Sequence, residues 1–115
     1  MERHYDLEER TEAFAKTVIE LCKKLARNTI NSELVSQEVR AAGSVGANYI
    51  EANESLSKKD FANRIKICRK EAKESRYWLR LIASANRELK KEINELTRES
   101  TELMNIFGAI LKKSV

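Results

Sequence analysis

Phe61-Ala62-Asn63-Arg64-Ile65-Lys66-Ile67-Cys68-Arg69-Lys70-Glu71-Ala72-Lys73-Glu74-Ser75-Arg76-Tyr77-Trp78-Leu79-Arg80-Leu81-Ile82 is the stretch of this sequence that decides its fold. Within it Phe61, Ile65, Cys68, Ala72, Ser75, Leu79 and Ile82 recur at alternating steps of four and three residues. That spacing keeps one side of an α-helix turned toward a core. Working outward, the same rhythm returns three times. Leu7, Thr11, Phe14, Val18, Leu21 and Leu25 form one seam, and Leu89, Ile93, Leu96, Ser100, Leu103, Phe107 and Ile110 another. The remaining seam, Val35, Val39, Ala42, Gly46 and Tyr49 with Leu34, Ala41 and Val45 beside it, is rich in small residues that let a neighbouring helix come close.

Helices are therefore expected over about 6–28, 32–53, 58–85 and 88–112. Between the first two lies Asn28-Thr29-Ile30-Asn31-Ser32, with Ser32 the expected N-cap. Ser57, with Asp60 three residues on, opens the third helix after Asn53-Glu54-Ser55-Leu56. Ser84-Ala85-Asn86-Arg87 contains neither Gly nor Pro and is the weakest break, leaving the third helix free to run on by a turn. Joints this short favour antiparallel neighbours, so the sequence predicts one all-α domain, an antiparallel up-and-down four-helix bundle. The composition agrees: 115 residues hold no proline and only 3 glycines, with 35% charged and 42% hydrophobic residues.

No stretch approaches the roughly 20 apolar residues of a membrane span. The charged start Met1-Glu2-Arg3-His4-Tyr5-Asp6 is unlike a secretory signal, and a cytoplasmic location without membrane contact is expected. Cys22 and Cys68 fall among apolar residues without the paired spacing of a zinc or redox site, which reads as core packing. Catalysis finds little to work with. The one histidine is His4, close to the N-terminus, so no serine has an obvious base. A di-iron site in a bundle needs Glu-x-x-His on two helices, and none occurs. Glu71 and Glu74 have the right spacing for adjacent carboxylates, but Lys70, Lys73 and Arg76 around them predict ion pairing. With no Gly-rich phosphate loop or nucleophile motif, the expectation is a protein with no catalytic residue, cofactor or metal.

Charge is distributed unevenly. Residues 58–91 hold 12 Lys or Arg against 4 Asp or Glu, whereas 1–57 hold 7 against 10 and 92–115 hold 3 against 4. At about 100° per residue, Lys58, Lys59, Lys66, Arg69, Lys70, Lys73, Arg76 and Arg80 share one flank of the third helix. Such a stripe is either a solvated helix face or an electrostatic footprint for phosphates. The second reading makes Lys66, Arg69, Lys70, Lys73, Arg76 and Arg80 the candidate contacts to RNA or DNA, recognised by charge and shape because no base-reading motif is present. The opposite flank carries Ile67, Trp78 and Leu81, more apolar surface than one seam covers, which implies contact with another copy or with a protein partner. On the second helix Arg40, Ser44, Ala47 and Glu51, with Asn48 at the edge, form a polar line suited to a hydrogen-bonded network or to a ligand.

Ser44-Val45-Gly46-Ala47-Asn48-Tyr49-Ile50-Glu51-Ala52 resembles the signature Ser-Ile-x-x-Asn-Ile-x-Glu-Gly of the 23S rRNA intervening-sequence proteins. Tyr49 stands for Ile and Ala52 for Gly. Phe61 and Ile65 stand where that family begins its third helix, and Ile67 through Glu74 where it carries an apolar-Ala-x-Gly-Ser-x-x-Glu run, with Lys70-Glu71-Ala72 across the usual Gly-Ser. Tyr5-Asp6-Leu7-Glu8-Glu9-Arg10 and the run Arg64 to Leu79 look like one branch of it, so the resemblance spans nearly the whole chain. It implies an up-and-down bundle forming a homopentamer without established enzymatic activity, with Arg40, Ser44, Asn48, Glu51 and Glu74 in the motif and assembly role. The chain is similar also to the accessory proteins of diversity-generating retroelements, which form basic pentameric barrels that bind nucleic acid and reverse transcriptase.

Overall fold

The computed structural model describes residues 3–114, with side chains from Leu7 to Ser114; His4 and the Tyr5-Asp6 pair lie outside the described side chains. Four α-helices occur among the described residues: α1 (Arg3–Lys23), α2 (Thr29–Asn53), α3 (Lys58–Ala85) and α4 (Lys90–Lys113). A 3₁₀ turn, Arg87–Leu89, precedes α4, and no strand occurs among the described residues. Contacts between helices fix the topology. Glu38 meets Ser75 and Asn48 meets Arg64, so α2 and α3 run antiparallel. Arg76 reaches Thr101 while Arg69 lies against Gly108, and Arg10 reaches Glu99 while Lys24 reaches Glu92, which sets α4 antiparallel to both α3 and α1. The result is an up-and-down bundle of 45 × 25 × 19 Å.

The core is what the seams of α1, α3 and α4 predict. Phe14, Val18, Leu21, Ile65, Cys68, Leu79, Ile82, Ile93, Leu103 and Phe107 are all buried. Each large apolar side chain removed from water contributes about 1.5–3 kcal/mol toward the bundle. On α2 the seam is rotated by one position. Glu38 is 0% exposed, while Val39, assigned to the core by its spacing, is 36% exposed. The buried line Glu38, Ala42, Val45, Tyr49 and Ala52 keeps the four-three rhythm, and Ser75 opposite Glu38 supplies the hydrogen bond that admits a carboxyl there.

Gly46 packs against α1. A Cβ on it would lie 2.9 Å from Thr11 Oγ1, and that hydroxyl is itself anchored to the Leu7 carbonyl at 2.8 Å. Tyr49 is accommodated in the core by a tilted contact with Phe107, ring centroids 6.1 Å apart.

Helix boundaries differ from the sequence reading at the first joint. Helix α1 stops at Lys23, its end tightened by i to i+3 bonds, and Leu25 reaches the core from the turn. The N-cap of α2 is Asn28, not Ser32: Asn28 Oδ1 accepts from the Asn31 amide at 2.8 Å. Starting the helix there leaves the Asn31 carboxamide free to form a reciprocal pair with Asn86, at 3.1 and 2.9 Å. This pair ties the first joint to the third and ends α3 at Ala85, so no extra turn runs on. Ser57 caps α3 as expected, accepting from the Asp60 amide.

Candidate nucleic-acid interface

Helix α3 meets α2 on one side and α4 on the other, and its two flanks have opposite character. The flank toward α4 holds Arg69, whose Nε lies 3.7 Å from where a Cβ of Gly108 would stand, and Arg76, whose guanidinium donates to Thr101 Oγ1 at 3.4 Å. Lys66, Lys70, Lys73 and Arg80 are exposed between these positions and the crest of the helix. On α4 the residues at the matching helical positions are Lys90, Asn94, Thr97, Thr101, Asn105 and Gly108, none of them acidic. At the end near the third joint, a shallow depression lined by Arg80, Arg87, Lys90, Asn94, Ala83 and Ser84 extends the basic band.

Ion pairing sharpens the contrast. Among the described residues, ion pairs join Arg10 to Glu99 and Glu102, Lys24 to Glu92, Lys16 to Glu12, Lys23 to Glu20, and Arg40 to Glu71 and Glu74. None of the six stripe cations predicted to meet nucleic acid takes part. Their charges are thus left for an outside counterion, whereas those of Arg10 and Lys24 between α1 and α4, and of Arg40 between α2 and α3, are neutralised within the bundle.

The flank toward α2 collects the polar line. Arg40 bridges to Glu74 at 3.2 Å and to Glu71 at 3.5 Å. This corrects the expected partners: the antiparallel register sets Arg40 across from both carboxylates. Asn48 donates to the Ser44 carbonyl and accepts from Arg64 at 2.9 Å, joining the signature to α3. Glu51 is exposed. Ile67, Trp78 and Leu81 are half-buried beside this line. The Trp78 indole nitrogen is covered and has no acceptor, so the part of the ring that meets solvent is carbon.

Two features escaped the sequence reading. Tyr77 is 53% exposed on the crest of α3, its ring packed edge to face against Trp78 at 5.1 Å. Its place at the centre of the cationic turns was visible in the helical spacing of Lys70, Lys73 and Arg80 around it. Glu38 is the other. Burial pushes its carboxyl up to about 8, against the opposing effect of the 2.6 Å bond from Ser75. Burial likewise raises the thiols of Cys22 and Cys68, to about 11 and 12, so both stay protonated at neutral pH. No group of three or more His, Cys, Asp or Glu is placed to hold a metal among the described residues, and none of their helices is long and apolar enough to cross a membrane.

A family model described as 23S rRNA-intervening sequence protein matches residues 3–109. The chain belongs to that family. A crystal structure of a protein with unknown function, from the S23 ribosomal protein family and from Bacteroides thetaiotaomicron, is similar to it with a TM-score of 0.83 and 28% identity. The match covers 96% of this chain and 99% of that one. No curated protein matches. On this fold the family signature divides between two environments: Val45, Tyr49 and Ala52 are buried, whereas Ser44 and Asn48 are half-buried, Asn48 reaching Arg64 of α3, and Glu51 is exposed.

Proposed function

We propose that this family member is a non-enzymatic, cytoplasmic, homo-oligomeric scaffold, a homopentamer, whose α3/α4 face binds RNA or another nucleic acid through its phosphates. One observation carries the nucleic-acid part: a band of six cations along α3, faced by no acidic residue at the matching positions of α4 and free of ion pairs among the described residues, while Arg10, Lys16, Lys23, Lys24 and Arg40 are each paired to glutamate. Lysine and arginine in such a band gain from releasing the counterions of a polyanion, and the gain grows with each phosphate neutralised. Symmetric assembly would repeat the band around a ring.

Assembly is supported by the other flank of the same helix. Ile67, Trp78 and Leu81 offer carbon surface next to the ordered Arg40, Glu71 and Glu74 cluster, a combination of apolar anchor and polar rim suited to a protein interface. The two flanks divide the work, so a strand bound over α3/α4 leaves the α2/α3 contacts undisturbed.

The test replaces Lys66, Lys70, Lys73 and Arg80 with Glu. These four are exposed, unlike Arg76, which bonds to α4, and so can be reversed without breaking a contact of the fold. The reversed protein should keep its helical content and lose affinity for a short labelled RNA. Unchanged binding would overturn the phosphate reading. Recovery of a protein partner after nuclease treatment, with no RNA bound, would favour a protein-interaction module instead.

A further inference from the structure

Tyr77 is the only aromatic residue among the described residues with an exposed side chain. It stands on the crest of α3, with Lys70 and Lys73 one to two turns before it and Arg80 one turn after. Water is a poor solvent for a phenol ring, and the ring is not loose there. It packs against Trp78 with centroids 5.1 Å apart and planes at 69°. In either sense of such an edge-to-face contact, at least one face of the Tyr77 ring stays clear of the indole. An aromatic plate held by a second ring and flanked by lysine and arginine combines the two elements that bind an unpaired strand: a cationic track for phosphates and a stacking surface for a base.

We propose that Tyr77 is a base-stacking site and that the nucleic acid bound by the α3/α4 face is single-stranded. The proposal rests on the phosphate-binding reading of that face and adds the class of its ligand. In a duplex each base is covered on both faces by its neighbours, leaving nothing for a ring on a convex helix to stack upon. In a single strand a base can turn out and cover the open face of Tyr77 while adjacent phosphates lie against Lys73 and Arg80. The track from Lys66 to Arg80 is about 21 Å long at the helical rise of 1.5 Å per residue, room for several nucleotides of one strand. Stacking does not read sequence, so the site accepts any base and discriminates by strandedness.

The experiment uses the full chain and three labelled probes: a short single-stranded RNA, single-stranded DNA of the same sequence, and the corresponding RNA duplex. Binding is followed by anisotropy at several salt concentrations and by the emission of Trp78, the only tryptophan, which a base on Tyr77 would perturb. Both single strands should bind more tightly than the duplex, and the RNA and DNA arms together show whether the sugar matters. Tyr77→Ala should weaken single-strand binding roughly 5- to 150-fold, the worth of one stacked base, without changing the salt slope, because no charge is lost. Tyr77→Phe should restore it. Wild-type binding by Tyr77→Ala, while the Lys66, Lys70, Lys73 and Arg80 reversals abolish binding, would overturn the stacking site and leave the phosphate reading standing. Absence of binding to every probe would overturn both. A changed solution mass in Tyr77→Ala with unchanged affinity would assign the ring to self-association and also overturn the proposal.

Discussion

Glu38→Gln should make the bundle more stable at alkaline pH, and the size of the gain follows from where Glu38 sits. Its side chain is fully buried between α2 and α3; one oxygen accepts from Ser75 at 2.6 Å and the other has no partner. Cys22 of α1 faces it closely enough for its charge to oppose the thiolate. In the unfolded chain the carboxyl gives up its proton near 4.5, whereas in the bundle it holds it until about 8. Across that interval unfolding releases a proton, so each unit of rising pH lowers stability by about 1.4 kcal/mol. The stability this group allows is fully present below the unfolded value, falls between the two, and is flat above about 8. The whole loss is on the order of 5 kcal/mol, a large share of what a domain this size has to lose. Glutamine has nearly the same size, keeps a hydrogen bond to Ser75 and has no proton to give up. Urea unfolding of both proteins should give midpoints that nearly coincide at about pH 5 and diverge in favour of Glu38→Gln at about pH 9. A difference between the two that does not change with pH would refute the reasoning, because it would mean that Glu38 does not hold its proton in the folded state.

Two glycines of α2 should respond in opposite directions. A Cβ at Gly43 meets nothing within 4 Å, so Gly43→Ala gains up to about 1 kcal/mol of helix propensity, whereas Gly46→Ala drives into Thr11 and loses about 1–3 kcal/mol by overpacking, offset in part by the same propensity. Thermal unfolding of the pair reads both signs. Asn86→Ala leaves the Asn31 carboxamide without its reciprocal partner and should cost about 1–3 kcal/mol, seen as a lower denaturant midpoint. Trp78→Glu puts a charge into the carbon surface of the α2/α3 flank and should yield monomers by light scattering; an unchanged mass would show that assembly uses another face.

Most of the fold was legible because the seams of α1, α3 and α4 keep their spacing throughout, the polar members Thr11, Ser75 and Ser100 being small enough to be buried with the rest. Helix α2 was read one position off for a physical reason. Val39 looks like core and Glu38 like surface until Ser75, 37 residues away in sequence, is known to lie opposite. The Asn31 and Asn86 pair and the bridges from Arg40 to Glu71 and Glu74 were hidden for the same cause, since each depends on the register between helices. The charge of the candidate interface was visible in the sequence, as was its confinement to one flank of α3. Its other half was not. That α4 presents Asn, Thr and Gly there, rather than its four glutamates, follows only from knowing which side of α4 meets α3. Arg10 and Lys24 of α1 draw Glu99, Glu102 and Glu92 to the far side. Tyr77 was passed over although Lys70, Lys73 and Arg80 surround it at helical spacing, and its exposure is what the assembled bundle adds.

The most direct test of the scaffold reading is the salt dependence of binding between the native protein and a short single-stranded RNA. If the six cations from Lys66 to Arg80 each neutralise a phosphate, the logarithm of the affinity should fall against the logarithm of salt with a slope of about −4 per protomer engaged. Affinity indifferent to salt, or no binding in dilute buffer, would contradict the account and reduce the stripe to a solvated helix face.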